Sequence, residues 1–170
     1  MSAVPVFPPD TWPVYGHAWA VHLLQATLTP DAGTGRRSGP SHAYLLLGVP
    51  QVGKTTLARA FATALLCTAG GKAPCGACRA CMLMSRGSHP DFHLVQPTSK
   101  EGAADRSGGE LRSDQANDLV HDAALRPMEG KWRIFLLQDM HTANASFANK
   151  ILKTLEEPPP QTMLLLTAVD

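Results

Sequence analysis

The sequence predicts an α/β fold, a doubly wound parallel sheet with helices on both faces. Two observations favour it: short apolar segments alternate with longer segments of helical spacing, and a glycine-rich loop joins the first apolar segment to the helical segment that follows it. A chain of 170 residues, 44% hydrophobic and 17% charged, is long enough to form one globular domain with its own core.

Four apolar segments are the expected strands. They read AYLLLGV from Ala43, FHLVQ from Phe92, WRIFLLQ from Trp132 and MLLLTAV from Met163. Their continuous apolar character is typical of parallel strands that are covered on both faces. The first is therefore expected to be a central strand.

Four further segments carry apolar residues at helical spacing. These helices are expected to begin at Gly16-His17, after Lys54, at a Ser113 cap, and at Asn144 or Ser146. The third should run from Asp114 to about Leu125, before Pro127. The residues expected to face inward are Val21, Leu24 and Leu28, then Leu57, Phe61, Ala64 and Leu65, and then Phe147, Ile151, Leu152 and Leu155.

The remaining segments are expected to be irregular. Prolines between Pro5 and Pro13 keep the N-terminal segment extended, and residues 31–40 read as a surface loop. Residues 97–112 are polar and glycine-rich, so we expect a mobile loop without regular structure. The sequence ends at Asp170, directly after a core strand and without a helix to cover it, which leads us to expect part of a longer protein.

Charge and hydropathy exclude several classes of protein. The net charge is +1 and the Lys and Arg residues are scattered, so no basic stripe indicates direct nucleic-acid contact by this domain. The first residues lack the cationic start and apolar run of a signal peptide, and no apolar run approaches the roughly 18 residues of a membrane span. We therefore expect a cytoplasmic protein without a membrane partner.

The segment from Gly48 to Thr55 matches the phosphate-binding pattern GxxxxGK[ST]. Its glycines let backbone amides surround phosphate oxygens, Lys54 supplies a positive charge, and the Thr55 hydroxyl can reach a magnesium ion. The candidate nucleotide-binding residues are Gly48, Val49, Pro50, Gln51, Val52, Gly53, Lys54, Thr55 and Thr56. The alternative is a glycine-rich turn that matches the pattern by chance.

All four cysteines of the chain lie between residues 67 and 81, at Cys67, Cys75, Cys78 and Cys81. Four soft ligands at this spacing predict a closed, structural zinc site, which would fold an inserted knob after the helix that follows the phosphate loop. An iron–sulfur cluster and four unrelated thiols are the alternatives. His89 is either a spare ligand or a hydrogen-bonding residue in the turn before Pro90.

The strand WRIFLLQ ends where a P-loop ATPase carries an Asp that orders magnesium, often followed by a Glu that polarises the attacking water. Here those places hold Gln138 and Asp139. Asp139 is the candidate catalytic residue of this altered motif. In the alternative register Asp139 is itself the magnesium carboxylate, and Met140 replaces the Glu. In either register the chain has one acidic residue where the ATPase motif has two.

Taken together, the chain resembles the bacterial clamp-loader branch of the AAA+ ATPases, and within it the delta-prime subunits of the DNA polymerase III holoenzyme. The resemblance extends from about Gly16 to the end and is carried by SHAYLLLGVPQVGKTTLARAFATALLC, CGACRAC, SHPDFHLV, RSDQANDLV and ANKILKTLEEPP. Gamma/tau motor subunits of the same branch are expected to keep an intact DExH motif. The chain reads Gln138-Asp139-Met140-His141 at that place, which favours the delta-prime subunits.

The resemblance implies that residues 1–170 form an AAA+ nucleotide-binding domain, with the zinc-binding module at 67–81. It implies that an Ser-Arg-Cys motif, a helical lid and a collar domain follow. ATP or ADP with Mg²⁺ would bind the loop, zinc would be structural, and the family's sensor-1 position would fall at Thr167 or Ala168.

The implied role is that of a stator in the clamp loader, within a DNA-directed DNA polymerase holoenzyme and with weak or absent ATPase activity of its own. The implied partners are the gamma/tau and delta subunits in a hetero-oligomeric ring, with the sliding clamp and primer-template DNA contacted through the complex. The alternatives are an active gamma/tau-type ATPase in which Asp139 works, and a stand-alone P-loop enzyme such as a small kinase.

Overall fold

The computed structural model describes residues 12–28, 39–69 and 74–170. The helices are α1 (Ala18–Leu28), α2 (Lys54–Leu66), α3 (Arg79–Arg86), α4 (Ser113–Ala123) and α5 (Ala145–Glu156). The strands are β1 (Ala43–Leu47), β2 (Phe92–Val95), β3 (Arg133–Leu137) and β4 (Thr162–Ala168). The predicted extended segment before Trp12 and the predicted loop as far as Ser38 lie outside the described residues.

The four strands form one parallel sheet in the order β1-β4-β3-β2. Every residue of β3 and β4 is buried, as their continuous apolar sequences predict. Because side chains alternate along a strand, each of these strands contributes side chains to two hydrophobic cores, one on each face of the sheet. Ile134 and Leu136 of β3 join the core on one face, and Phe135 and Leu137 join the core on the other.

Helices cover both faces of this sheet, which confirms the doubly wound prediction. One core contains side chains of α1, α2 and α3, and the other contains side chains of α4 and α5. On the first face, Phe61 of α2 stacks on Trp12 and meets Tyr44 of β1 edge-on, with ring centroids 6.0 and 5.1 Å apart. None of the helices in the described ranges is long and apolar enough to cross a membrane.

Strand β1 differs from the prediction of a central strand covered on both faces. It forms one end of the described sheet, and Leu45 and Leu47 are each 57% exposed. The apolar sequence correctly predicts a strand. It does not show which other segment packs against that strand.

The predicted cap of α4 is wrong, because Ser113 is the first residue of the helix and Arg112 is the N-cap. Helix α4 ends at Ala123, close to the predicted end at about Leu125. The Arg112 N–H donates to Gln115 Oε1 at 2.9 Å, so a side chain within the first turn satisfies this amide. In α5 Asn144 is the cap, since its Oδ1 accepts a hydrogen bond from Phe147 N–H at 2.8 Å.

Leu152 of α5 was expected to face inward and is 49% exposed. Phe147 and Ile151 are buried, and Leu155 packs at the edge of the same core. The apolar stripe of α5 is therefore narrower than its sequence indicates.

Residues 97–112 have a definite backbone arrangement where the sequence predicted none. Thr98 forms isolated bridges with Ala104 and Glu110, and the side chain of Leu111 is fully buried. Leu111 N–H donates to Thr142 O, and Asn144 N–H donates to Leu111 O, at 3.3 and 3.2 Å. The segment is thus tied to the turn that follows β3, while its mobility stays a prediction.

Candidate nucleotide and metal sites

The phosphate-binding loop lies between the end of β1 and the start of α2, as its sequence predicts. Gly53 adopts a φ of 98° immediately before α2, a conformation that is costly for residues with a Cβ. Gln51 also has a positive φ, 61°, and strained backbone of this kind is common where a loop is shaped for a ligand. The loop leads directly into the helix N-terminus, whose free amides attract anions.

Lys54 is the first residue of α2, and its side chain turns back over the loop. Its Nζ donates hydrogen bonds to the carbonyl oxygens of Gly48 and Val49, both at 2.7 Å. These contacts hold the ammonium group over the concave side of the loop. A phosphate bound there would replace neutral acceptors with charged ones, which form stronger hydrogen bonds.

An apolar groove of about 460 Å³ opens beside this loop. Its lining includes Gly48 and Lys54 on the loop side, and Val14, Trp19 and Tyr44 from other segments. A groove that is polar at one end and apolar over the rest fits a ligand with phosphates and an aromatic base. The contribution of α1 to this groove was missed in the sequence, because nothing local to residues 14–24 signals which strand they will cover.

Gln138 directly follows β3 and reaches the phosphate loop. Its Nε2 donates a hydrogen bond to Thr55 Oγ1 at 3.2 Å, and the residue is 4% exposed. Thr55 is the hydroxyl that the motif assigns to a magnesium ion. The geometry therefore matches the register in which a neutral amide stands where an ATPase carries its metal-ordering carboxylate.

Asp139 is turned away from Thr55 into a different set of contacts. Its φ is 55°, and its N–H donates to Thr167 Oγ1 at 3.1 Å. Its Oδ2 accepts a hydrogen bond from Arg106 Nε at 2.7 Å, within the 97–112 segment. A charge-assisted hydrogen bond of this length favours this orientation of the carboxylate. The Thr167 hydroxyl, one of the two sensor-1 candidates, thus accepts a hydrogen bond from the Asp139 backbone.

Gln138→Glu tests the importance of this amide, because the two side chains have nearly the same shape and differ in charge. We expect the variant to bind nucleotide about tenfold more tightly in Mg²⁺ than the wild type does, since a carboxylate beside Thr55 would offset the charge of the metal. Titration with a fluorescent nucleotide in Mg²⁺ and in EDTA measures the effect. An equal gain in EDTA would contradict the metal-based explanation.

The four cysteines come from the end of α2, which Cys67 directly follows, from the turn before α3, and from the first turn of α3. Their Sγ atoms all lie within 4.8 Å of one another. The Sγ–Sγ distances are 4.0 Å for Cys75–Cys81 and 3.9 Å for Cys67–Cys78. Tetrahedral zinc with Zn–S bonds of about 2.3 Å places sulfurs roughly 3.8 Å apart. Two of the sulfur pairs already have this spacing, so the cluster can hold a metal ion.

Backbone amides already point at these sulfurs. The N–H groups of Cys75, Cys78 and Cys81 donate to the Sγ atoms of Cys67, Cys75 and Cys78 at 3.5, 3.3 and 3.5 Å. Burial raises the pKa of Cys78, but amides of Cys81 and Thr68 outweigh it and lower that pKa to about 5. Burial raises the pKa of Cys81. Four thiolates at these distances would repel one another, and a divalent cation would relieve that repulsion.

A buried carboxylate orders the turn at residues 128–130, which an ion pair links to α3. Asp91 is fully buried and accepts hydrogen bonds from the N–H groups of Met128, Glu129 and Gly130 at 2.5, 2.8 and 2.7 Å. The Glu129 side chain in turn forms a two-pronged pair with Arg79 of α3, at 3.0 and 3.1 Å. Asp91 thus orders the turn on which α3 rests.

His89 lies outside the cysteine cluster. Its Nδ1 accepts a hydrogen bond from Asp91 N–H at 3.1 Å, and the residue is 4% exposed. This is the turn role that the sequence offered as the second possibility. Helix α3 itself was not predicted, although its buried Ala80 and Met84, spaced four residues apart, were a signal for it.

Known proteins are similar to this chain in sequence or in fold. A family described as DNA polymerase III, delta subunit matches residues 32–170. DNA polymerase III subunit delta′ of Pseudomonas aeruginosa is 38% identical over 133 residues, which cover 78% of this chain and 38% of the relative. The subunit delta′ of Bacillus subtilis is 34% identical over 126 residues, covering 74% and 36% of the two chains.

The tau/gamma subunit of Haemophilus influenzae is 33% identical over 130 residues, covering 76% of this chain and 17% of the relative. A crystal structure of a DNA polymerase III gamma subunit-related protein from Thermotoga maritima has the same fold, with a TM-score of 0.51 at 14% identity, over 88% of this chain and 39% of that chain.

The chain spans about two fifths of the length of the delta′ relatives named here. The family match, in contrast, covers every element from β1 to β4. The chain is 38% and 34% identical to these two delta′ subunits over most of its length. It therefore belongs to the DNA polymerase III delta-subunit family.

Proposed function

We propose that this chain is the nucleotide-binding domain of a clamp-loader subunit that acts as a stator. In this role it binds ATP or ADP with Mg²⁺ and hydrolyses it slowly or not at all. The observation that carries the proposal is the pairing of the Gln138 amide with Thr55 at 3.2 Å. A neutral group there cannot offset the charge of a metal, and Asp139 is engaged by Arg106.

The nucleotide would lie with its phosphates in the loop, under Lys54, and with its base in the adjoining groove. Lys54 and the amides at the start of α2 would hold the phosphates, and Thr55 would face the metal. Magnesium, when bound, would screen the charge of the phosphates. Without a carboxylate beside Thr55, binding is favoured over cleavage, since removing such a group costs rate far more than affinity.

The cysteine cluster would hold structural zinc. Four sulfur ligands leave no position open for water, so the ion would stabilise the fold and take no part in chemistry. The spacing of the sulfurs supports zinc over isolated thiols. The cluster would keep α3 in place against the turn ordered by Asp91.

The partners proposed for this domain follow from its relatives. The delta′ and tau/gamma names support a place in a hetero-oligomeric ring with gamma/tau and delta subunits, in the cytoplasm. Through that ring the domain would help to place the sliding clamp on primed DNA. An Ser-Arg-Cys motif, a helical lid and a collar domain are proposed to belong to the same protein.

Lys54→Ala in the full-length protein tests the proposal. We expect it to weaken binding of a fluorescent ATP analogue by about 10- to 100-fold, because it removes a charged donor to phosphate. Phosphate release, measured with clamp and DNA but without other loader subunits, should be equally slow in wild type and variant. Lys153→Ala, which removes an exposed lysine of α5 on the opposite face of the sheet, serves as the matched control.

The alternative is an active ATPase of the gamma/tau kind, and the tau/gamma relative at 33% identity is the observation that favours it. In that case Asp139 would leave Arg106 and act on the attacking water. Rapid phosphate release by the wild type that is lost in Lys54→Ala would establish this alternative and overturn the proposal of a stator. Phosphoryl transfer to an acceptor would instead indicate a stand-alone P-loop enzyme.

A further inference from the structure

A second recess lies far from the phosphate loop, between strand β2 and helix α4. It has a volume of about 220 Å³, and its lining includes His93 and Leu94 of β2 with Asp118 and Asp122 of α4. The lining contains two carboxylates and no Lys or Arg. Neither the nucleotide site nor the metal cluster uses these residues.

Strand β2 is the last strand at this side of the described sheet. On its inner side, Ile134 N–H donates to Asp91 O and Gln138 N–H donates to Val95 O, both at 2.8 Å. Because backbone groups alternate in direction along a strand, the N–H and C=O of Leu94 point the other way, toward the open edge. On either side of it, Phe92 N–H donates to His89 O and Gln96 O accepts from Gln115 Nε2, so the open part of the edge is centred on Leu94. Such an edge can accept a short added strand.

The side chains along this edge differ on the two faces of the sheet. Leu94 is 40% exposed, on the face opposite to His93. The His93 ring stacks on Phe135, with centroids 4.8 Å apart, and its Nδ1 lies 4.0 Å from Asp122. Its Nε2 is buried and has no hydrogen-bond partner within the described residues.

The recess carries negative charge. Burial is the main cause that lowers the pKa of His93, so the ring is neutral near pH 7 and does not balance the carboxylates. Asp118 lies one helical turn before Asp122, on the same side of α4. A cationic side chain that entered here would meet both carboxylates.

We infer that the β2 edge, with Leu94, Asp118 and Asp122, is a docking site for an extended segment of a partner protein that carries a Lys or Arg next to apolar residues. The segment pairs with the Leu94 backbone as an added strand. Its basic side chain enters the recess on the α4 side, and the neighbouring apolar side chains cover Leu94 on the other face. The charge of the recess selects a basic segment over an acidic one.

The test uses the full-length protein and a fluorescein-labelled peptide, Ser-Thr-Val-Arg-Val-Thr-Ser-Gly. We expect saturable binding by anisotropy, together with slower hydrogen exchange of the Leu94 amide. The double variant Asp118→Asn, Asp122→Asn should weaken binding by about tenfold. Asp114→Asn, which changes an exposed carboxylate of the same helix outside the recess, should leave binding unchanged.

Two altered peptides separate the backbone and charge contributions. N-methylation of the two Val residues, which blocks donors of the added strand, should abolish binding, and replacing Arg with Glu should do the same. Leu94→Pro removes the edge donor in the protein itself and should weaken binding of the unmodified peptide while its circular dichroism spectrum stays native.

Several results would overturn the inference. They are the absence of saturable binding, equal binding of the Glu peptide, binding that survives N-methylation, and protection of Leu94 that depends only on protein concentration. The last result would mean that the edge pairs with a second copy of the chain.

Discussion

Asp91→Ala is expected to lower the free energy of unfolding by about 3–5 kcal/mol, because it removes one side of a buried charged network. Three backbone amides lose their acceptor. The guanidinium of Arg133, 5% exposed and 3.9 Å from Asp91, loses its nearest carboxylate. Urea denaturation followed by circular dichroism measures the loss.

Two variants control this result. Glu156→Ala removes an exposed carboxylate and should change stability by less than about 0.5 kcal/mol. Asp91→Asn keeps one acceptor oxygen, so its effect should lie between those of the other two. Should Asp91→Ala prove as stable as Glu156→Ala, the network would have no structural importance.

The lowered pKa of Asp91 leads us to expect that stability depends on pH. Burial raises the pKa of Asp91, but hydrogen bonds from Met128, Gly130 and Glu129 outweigh it and hold the pKa below its usual 3.8. A depressed folded pKa contributes stability that is present above pH 3.8 and is lost as pH falls through the folded pKa. The difference in stability between wild type and Asp91→Asn should therefore shrink only below about pH 4.

Cys78→Ser is expected to abolish metal binding and to unfold the segment around α3. Elemental analysis should find about one equivalent of zinc in the wild type and far less in the variant, since a four-sulfur site needs all its ligands. Serine is itself a good helix N-cap, and Cys78 caps α3 through its side chain. The substitution therefore separates loss of the metal from loss of the cap.

Hydrogen exchange would locate this effect. We expect faster exchange in α3 and in the turn at Met128–Gly130, with little change in β3 and β4, whose residues are buried by other elements. Met82→Ala, on an exposed position of α3, is the matched control and should retain zinc. Full protection of α3 in the zinc-free variant would show that the module folds without metal.

The sheet could be predicted because its signals are local. The apolar runs at β3 and β4 correspond to fully buried strands, and the phosphate loop and the cysteine spacing are short, specific patterns. The exposure of Leu45 and Leu47 could not be predicted, because cover for β1 depends on what packs beside it. The pairing of Gln138 with Thr55 joins residues 83 positions apart, yet the motif positions made it foreseeable.

The pairing of Arg106 with Asp139 was not foreseeable. It depends on the shape of residues 97–112, which backbone hydrogen bonds between distant positions impose. A Cβ at Gly109 would collide with the backbone oxygens of Asp105 and Thr98, so the turn needs a glycine there. A composition rich in Gly, Ser and charged residues predicts disorder, and it does not show that the turn requires a glycine at position 109.

The anchoring of residues 97–112 has a practical consequence for labelling. Its fixed points are Thr98, Glu110 and Leu111, and Glu101 and Gly102 form an exposed tip in which Gly102 N–H donates to Ser99 O. Exposed tips between anchored ends tolerate insertions well. A fluorophore attached at Glu101, on the same segment as Arg106, is therefore expected to give an optical signal when the contact between Arg106 and Asp139 changes.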